Sequence, residues 1–303
     1  MKHLLLTESF GGTNHKPVED LHETAINKFI EVEGTPFAYR IFGKKGGIPL
    51  ILLQHFTGTM DNWDPAVING LSKEFQVVLF DNKGIGATGG QTPDNIEAMA
   101  RDAISFIKAI GFAKVNLLGF SMGGFIAQQI TLDDPALINK LILAGTGPKG
   151  GEGLANSEKA LAATAGMTPE EQKLYFFYES TITSRRLGLE SLARINQRTT
   201  NRDPDTGIPG IQAQLKSILG WAQPDADCLN RLQQIKQPVL IVNGSNDIIC
   251  PTINSYIMFQ NLPDAILNLY PDAGHGSIFQ YPELFLAAAL SFLKANQTHL
   301  YEH

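Results

Sequence analysis

The sequence predicts an α/β fold, with a mostly parallel central sheet covered by helices on both faces. Two observations lead to this prediction. Short apolar segments alternate with helical segments over most of the 303 residues, and such alternation is typical of strand–helix–strand units. The alternation stops between residues 148 and 236, where helical patterns continue without a clear apolar strand. We therefore expect one sheet that is interrupted by a helical insertion.

The first strands differ in kind from those that follow. Residues 28–32 and 36–42 flank Glu33-Gly34-Thr35, a short connection typical of a β-hairpin. Residues 49–53 form an unbroken apolar run, which is typical of a buried parallel strand. Similar runs predict the remaining strands at residues 77–80, 115–118, 141–144, 239–242 and 265–270.

Helices are predicted between most of these strands. Met99, Ala103, Ile107 and Ile110 recur at the three- to four-residue spacing of one helical face, so residues 95–110 are predicted as an amphipathic helix. Further helices are expected at residues 122–132, 252–261 and 282–294.

The insertion is predicted to be entirely helical. It begins with a flexible glycine-rich stretch at residues 149–153 and continues with helix-like segments at residues 157–165, 168–179, 186–197 and 209–221. We expect an N-terminal arm at residues 1–26, which is loosely ordered, and a frayed tail at residues 296–303. Residues 27–147 and 237–303 are predicted to form the core. Residues 148–236 are predicted to form a cap inserted into it.

Composition and charge exclude several function classes. The net charge is −6, whereas a nucleic-acid-binding protein normally presents a basic face. No apolar run reaches the roughly 20 residues that span a bilayer, and the apolar start at residues 1–6 is too short for a signal peptide. The two cysteines, Cys228 and Cys250, argue against a disulfide framework and are expected to be small buried hydrophobic residues. We expect a cytoplasmic protein that binds neither nucleic acid nor membrane.

One pentapeptide carries most of the functional information. Gly119-Phe120-Ser121-Met122-Gly123 lies between a predicted strand and a predicted helix. A serine in such a tight turn presents its hydroxyl clear of the backbone, and glycine on both sides avoids collisions with neighbouring backbone. The N-terminus of the following helix offers N–H groups and a partial positive charge to a developing oxyanion. Ser121 is therefore the predicted nucleophile.

A serine hydroxyl needs a base within hydrogen-bond reach, and that base needs an orienting group. His275 is the candidate base, because it lies between two glycines after the strand predicted at residues 265–270. Asp247 is the candidate orienting acid, because it is the only carboxylate in the loop after residues 239–242. Asp272 is closer to His275 in sequence and is the second candidate.

Catalysis at a carbonyl also needs two N–H donors for the oxyanion. The backbone N–H of Met122, the residue after the nucleophile, is one candidate. The second is the N–H of Phe56, in the loop at residues 54–59 that follows the strand at residues 49–53. The ring of Phe56 is also a candidate pocket wall.

From about residue 28 to residue 295, the sequence resembles the α/β-hydrolase superfamily. The resemblance rests on four blocks: the loop at residues 54–59, the segment at residues 81–86, the segment at residues 119–124, and the loops that contain Asp247 and His275. The order Ser121, Asp247, His275 is that of the α/β-hydrolases. Residues 119–124 are similar to serine esterases, cofactor-free haloperoxidases (perhydrolases) and enol-lactonases. The resemblance implies the α/β-hydrolase fold with a helical cap, and a Ser-His-Asp hydrolase that acts through an acyl-enzyme.

Two positions depart from the superfamily pattern. Gln54-His55 stands where His-Gly is usual before the oxyanion residue, so His55 either reshapes the oxyanion loop or reaches the pocket as a polar contact. Lys83 stands where arginine is usual. Because lysine lacks the forked donors of arginine, the packing of this loop is expected to differ.

The substrate is less closely specified. We expect a small or medium ester or lactone with an apolar acyl portion, no cofactor and no metal. The candidate pocket residues are His55, Trp63, Phe120 and Trp221. The large apolar residues at 175–178 are expected to pack mostly between cap and core, and most of the cap arginines are expected on solvated helix faces: Arg185, Arg186, Arg194, Arg198 and Arg202.

Three alternatives remain open at this point. The same triad would serve perhydrolysis or cleavage of a C–C bond. A ligand receptor built on a hydrolase fold would keep the same residues with slow turnover. Self-association into a homo-oligomer through an exposed apolar cap is a further alternative.

Overall fold

The computed structural model describes residues 21–295. Within them, eight strands form one sheet: β1 Lys28–Val32, β2 Thr35–Gly43, β3 Leu50–Leu53, β4 Gln76–Phe80, β5 Val115–Phe120, β6 Ile138–Ala144, β7 Val239–Gly244 and β8 Ala265–Tyr270. The strand order is β1-β2-β4-β3-β5-β6-β7-β8. The pairs β1–β2 and β2–β4 are antiparallel and the other pairs are parallel. The predicted mostly parallel sheet is thus confirmed.

The strands form where the apolar pattern predicts them. Strands β3, β5 and β7 are buried along their whole length, as expected for central parallel strands whose two faces are both covered. Glu33 and Gly34 connect β1 to β2 with φ angles of +49° and +78°, and positive φ at both positions is typical of a tight hairpin turn. The predicted hairpin is therefore confirmed.

Helices cover both faces of the sheet, as predicted. The described helices are α1 Pro65–Ser72, α2 Ile96–Ala109, α3 Met122–Asp133, α4 Ser157–Ala162, α5 Pro169–Phe177, α6 Ile182–Ile195, α7 Ile208–Trp221, α8 Cys228–Gln234, α9 Ile253–Asn261, α10 Ser277–Gln280 and α11 Pro282–Lys294. Helices α2, α3 and α9 bury apolar residues against one face, and α1, α10 and α11 do so against the other. None of these helices has the length and apolar character needed to cross a membrane.

Helices α4 to α8 lie between β6 and β7, and the described residues from 148 to 236 contain no strand. We keep the name cap for residues 148–236. Helix α8 was not anticipated from the sequence, because its seven residues make only two turns and show too little periodicity.

A buried carboxylate joins the cap to the core. Asp64 begins α1 by accepting the N–H of Ala66 at 2.9 Å, and it accepts hydrogen bonds from two side chains of α6. Ser191 donates its hydroxyl at 2.7 Å and Arg194 donates Nη2 at 2.6 Å. Because Asp64 is fully buried, these donors replace the water that the carboxylate loses on folding. This ion pair raises the pKa of Arg194.

A second buried charge cluster joins the connection between α6 and α7 to strand β2. Arg40 of β2 donates to Asp61 at 2.7 Å and to Asp203 at 2.9 Å. The N–H of Asp203 also donates to Asp61 at 2.6 Å. Residues separated by more than a hundred positions thus meet in one network, which residue spacing alone does not predict.

The described part of the predicted N-terminal arm is packed rather than loose. His22 and Ala25 are buried, and Arg198 donates to their backbone carbonyls at 3.1 and 3.0 Å. Arg198 is therefore buried, since three segments converge on its guanidinium, whereas Arg185, Arg186 and Arg202 are exposed, as expected for most of the cap arginines. Burial lowers the pKa of His22 to about 4, and its Nε2–H donates to the carbonyl of Met60 at 3.1 Å. Residues 1–20 and the tail at 296–303 lie outside the described residues.

Candidate active site

Ser121 occupies a strained turn between β5 and α3. Its φ and ψ are +57° and −121°, in a region that non-glycine residues enter at a cost of about 1–3 kcal/mol. The surrounding backbone holds it there. The N–H of Ser121 donates to the carbonyl of Ala144 at 2.9 Å, and Thr146 donates its hydroxyl to the carbonyl of Ser121 at 2.8 Å.

The glycines around Ser121 are required by close backbone contacts. A Cβ on Gly119 would lie 2.4 Å from the carbonyl oxygen of Gly123, and a Cβ on Gly123 would lie 2.0 Å from that of Leu53. Both separations are far below a normal contact, so a larger side chain would push these segments apart. The second contact also shows that α3 begins directly against the end of β3, from which the predicted oxyanion loop leaves.

The three predicted triad residues form one hydrogen-bonded chain. His275 Nε2 lies 2.8 Å from Ser121 Oγ, and His275 Nδ1 lies 2.7 Å from Asp247 Oδ2. All three side chains are buried. Because a carboxylate only accepts, Nδ1 carries the proton of the neutral ring, and Nε2 is left to accept from the serine hydroxyl.

Backbone donors hold Asp247 in place. Its Oδ1 accepts the N–H groups of Ile249 at 2.8 Å and Cys250 at 2.9 Å. The second candidate, Asp272, accepts the hydroxyl of Thr181 at 2.8 Å instead. Asp247 is thus the carboxylate that the structure places against His275.

The predicted oxyanion donors are available at this site. In the chain from residue 21 to residue 295, neither the N–H of Phe56 nor that of Met122 donates a hydrogen bond. Thr57 takes a φ of +62° in the turn after Phe56, and its N–H donates to Gln214 of α7 at 2.7 Å. The cap therefore helps to shape the loop that contains Phe56.

His55 lies in the wall beside this loop. Its Nδ1–H donates to the carbonyl of Phe56 at 2.7 Å, so its Nε2 is an acceptor. Burial lowers the pKa of His55 to about 3, and the ring is neutral at physiological pH. The rings of Phe120 and Phe177 meet it edge to face, at centroid distances of 5.6 and 5.3 Å. His55 thus both supports the loop and reaches the cavity.

Lys83, the second departure from the superfamily pattern, points away from the site. Its Nζ lies 3.5 Å from Asp102 of α2. The loop is organised instead by Asp81, which accepts the N–H groups of Met60 at 2.8 Å and Ala87 at 3.0 Å. The expected difference in loop packing therefore concerns the outer surface of this loop.

A cavity of about 430 Å³ opens onto Ser121 and His275. Its walls are mostly apolar and come largely from the cap. The lining residues include Leu154, Leu161, Phe176, Phe177, Leu215 and Ile218. Cys250 lines it too and is buried, as expected, whereas Cys228 is only half-buried; both are free thiols.

Of the four predicted pocket residues, only His55 lines the cavity. Phe120 is buried beneath the site, with its ring centroid 5.1 Å from that of His275. Trp63 packs behind Phe120 at 6.3 Å. Trp221 stacks on Phe125 at 5.3 Å and donates Nε1 to the carbonyl of Gly147 at 3.4 Å. These three residues are buried and do not line the cavity; each packs behind its wall.

The sequence analysis missed the polar part of the cavity wall. These lining residues are Asn62, Gln172, Lys173, Asp205 and Thr206. A signal existed for one of them: Lys173 precedes Phe176 and Phe177 by three and four residues, so all three share one helical face. For Asp205 and Thr206, which precede α7 in an irregular segment, the sequence offered no comparable signal.

Known proteins share this fold and much of this sequence. A family model described as alpha/beta hydrolase fold matches residues 48–282. A solved alpha/beta hydrolase fold protein from Chitinophaga pinensis is 46% identical, with a TM-score of 0.88, and the alignment covers 91% of this chain and 100% of that one.

Two curated relatives are similar over most of their length. One, named "Putative carbamate hydrolase RutD" in Agrobacterium fabrum, is 29% identical over 82% of this chain and 95% of its own. The other, the human "Serine hydrolase BPHL", is 25% identical over 88% of this chain and 85% of its own. Since the family model spans most of the chain, this protein belongs to the alpha/beta hydrolase fold family and is an enzyme of the hydrolase class.

Proposed function

We propose that this enzyme hydrolyses a small or medium carboxylic ester or lactone through an acyl-enzyme. Ser121 is the nucleophile, His275 the base and Asp247 the orienting acid. The observation that carries the proposal is the hydrogen-bonded chain from Ser121 Oγ through His275 to Asp247, with distances of 2.8 and 2.7 Å. Ser121 and His275 line a cavity that is large enough for a small ester.

The first half of the cycle forms the acyl-enzyme. Ser121 attacks the carbonyl carbon while Nε2 of His275 takes its proton, and Asp247 stabilises the imidazolium. The N–H groups of Phe56 and Met122 bind the oxyanion, where each donor contributes about 3 kcal/mol. His275 then gives its proton to the leaving alcohol oxygen as the tetrahedral intermediate collapses.

The second half releases the product. A water molecule, deprotonated by His275, attacks the acyl carbon and regenerates the serine hydroxyl. The mostly apolar wall supports an apolar acyl portion. The relative named as a serine hydrolase agrees with a serine nucleophile, and the one named as a carbamate hydrolase agrees with chemistry at an acyl carbon.

Labelling and turnover test this proposal together. A small alkyl phosphonate is expected to add once to the protein, and peptide mass spectrometry should locate it on Ser121. Ser121→Ala should abolish both labelling and hydrolysis of a panel of methyl and p-nitrophenyl esters. Ser291→Ala, at an exposed serine of α11, is the matched control and should behave as wild type. Labelling at another residue, or an active Ser121→Ala variant, would contradict the proposal.

The same preparation distinguishes the alternative reactions. Hydrogen peroxide supplied beside water tests perhydrolysis, and a vinylogous diketone tests C–C bond cleavage. A peracid formed faster than the acid when peroxide is added to an ester, or a diketone cleaved faster than every ester, would replace ester hydrolysis as the assigned reaction while retaining the triad.

A further inference from the structure

The cavity wall carries an ammonium group, that of Lys173, which has no partner among the described residues. Lys173 of α5 is the only lysine or arginine among the described residues that line it. Within residues 21–295, its ammonium group forms no hydrogen bond and no ion pair. An ammonium that lines a largely apolar wall lacks part of its hydration, and an anion supplied by a ligand would compensate for that loss.

The protein's own charges leave Lys173 only partly compensated. Arg202 adds a second positive charge, while Asp205, which lines the same cavity, and Glu170 add negative charges. Arg202, Asp205 and Glu170 are all exposed, so water screens their charges. Burial, followed by the charge of Arg202, lowers the pKa of Lys173. The site thus favours an additional negative charge.

Lys173 lies close to the reacting groups. Phe177 follows it by one helical turn, and the Phe177 ring lies 5.6 Å from the ring of His275 and 5.3 Å from that of His55. One turn advances an α-helix by about 5.4 Å. The charge of Lys173 also contributes to lowering the pKa of His55. An anion at Lys173 and a carbonyl at Ser121 are therefore within the span of one small molecule.

We propose that Lys173 binds an anionic group of the substrate, and that the substrate is a half-ester of a short dicarboxylic acid. The free carboxylate would bind Lys173 while the ester carbonyl lies at Ser121, with the methylene groups between them against Phe176 and Phe177. This inference rests on the proposed ester hydrolysis and adds the charge of the substrate to it. Lysine suits this task as a compact charge on a flexible stem.

Matched esters test the inference. Monomethyl glutarate and monomethyl adipate each have an uncharged counterpart of equal acyl length, methyl pentanoate and methyl hexanoate. The wild-type enzyme should show a higher kcat/KM for each half-ester than for its counterpart. Lys173→Met should lower this ratio roughly 10- to 100-fold, the range expected when one charged hydrogen bond is lost. Lys173→Arg should retain most of the preference.

A second lysine supplies the control. Lys216 is exposed on α7 of the same cap and pairs with Asp94, so Lys216→Met removes the same charge away from the cavity. It should keep the wild-type ratio. An equal fall in both methionine variants would assign the effect to net charge and overturn the inference.

Binding without turnover gives an independent measurement. Calorimetry of monomethyl adipate with Ser121→Ala should show binding, and the Ser121→Ala/Lys173→Met double variant should bind roughly 10- to 100-fold more weakly. Equal affinity in the two variants would overturn the inference. If Ser121 is labelled and esters are hydrolysed but half-esters are not preferred, the inference fails alone. If no ester is hydrolysed and Ser121 is not labelled, the proposed function fails with it.

Discussion

Replacing Asp247 by asparagine should remove catalysis while leaving the fold intact. Oδ1 of Asp247 accepts the N–H groups of Ile249 and Cys250, and Oδ2 accepts Nδ1–H of His275. The asparagine oxygen can keep the two backbone donors, which directs its NH₂ group at Nδ1. The imidazole must then carry its proton on Nε2, where it donates to Ser121 instead of accepting from it.

The size of the effect follows from that exchange of tautomers. A triad whose histidine is held in the wrong tautomer loses about 10⁴-fold in kcat, which corresponds to about 5 kcal/mol. Asp247→Ala should lose activity similarly but also leave two N–H groups without an acceptor, at a cost of about 2–6 kcal/mol in unfolding free energy. Asparagine at this position should change stability by about 1 kcal/mol or less.

Saturating ester kinetics and urea unfolding, measured on both variants, separate these effects. Asp272→Asn is the matched control, because Asp272 bonds Thr181 and not His275, and it should retain wild-type kcat. If Asp247→Asn kept kcat within about tenfold of wild type, or if Asp272→Asn lost it, the assignment of Asp247 as the orienting acid would be refuted.

Three further substitutions test the fold. Asp64→Ala should lower the unfolding free energy by about 3–5 kcal/mol in urea, because it leaves Arg194 without its buried partner; a loss no larger than that of Asp94→Ala, at an exposed pair, would contradict this. Gly123→Ala places a Cβ 2.0 Å from the Leu53 carbonyl and should cost more than about 3 kcal/mol, whereas Gly220→Ala in α7, where the added Cβ meets nothing within 4 Å, should stabilise by up to about 1 kcal/mol. Equal unfolding midpoints for the two glycine variants would argue against the close contact. The pKa of His22 is lowered from 6.5 to about 4, so the folded state binds fewer protons than the unfolded state and stability is lost as pH falls from 6.5 towards 4. Between pH 7 and pH 5, the unfolding free energy of the wild type should fall by about 2 kcal/mol more than that of His22→Gln. Parallel pH profiles for the two proteins would show that folding does not lower the pKa of His22.

Local patterns were sufficient to predict the sheet and the position of the site. A short unbroken apolar run such as residues 50–53 is typical of a buried parallel strand, and the glycines around Ser121 mark a turn that few other sequences allow. The loops of Asp247 and His275 follow β7 and β8, and parallel strands end at one edge of the sheet. Chain order therefore predicted their proximity to Ser121.

The walls of the cavity could not be predicted in the same way. Trp63, Phe120 and Trp221 have the size and apolar character of pocket residues, but those properties suit a buried core position equally well. Whether each ring faces the cavity or the core depends on how the cap packs against the core. That docking is governed by pairs such as Asp64 with Arg194, which are 130 residues apart and have no local pattern.

Phe177 joins the wall of the cavity to the segment that carries the base. Its carbonyl accepts the N–H of Gly276 at 2.8 Å, and its ring contacts that of His275. The last turn of α5 is therefore hydrogen-bonded to, and packed against, the segment that contains His275. An outward movement of this end of α5 would break both contacts and remove a support of the imidazole, so we expect a ligand that enters along another part of the cap to leave the base in place.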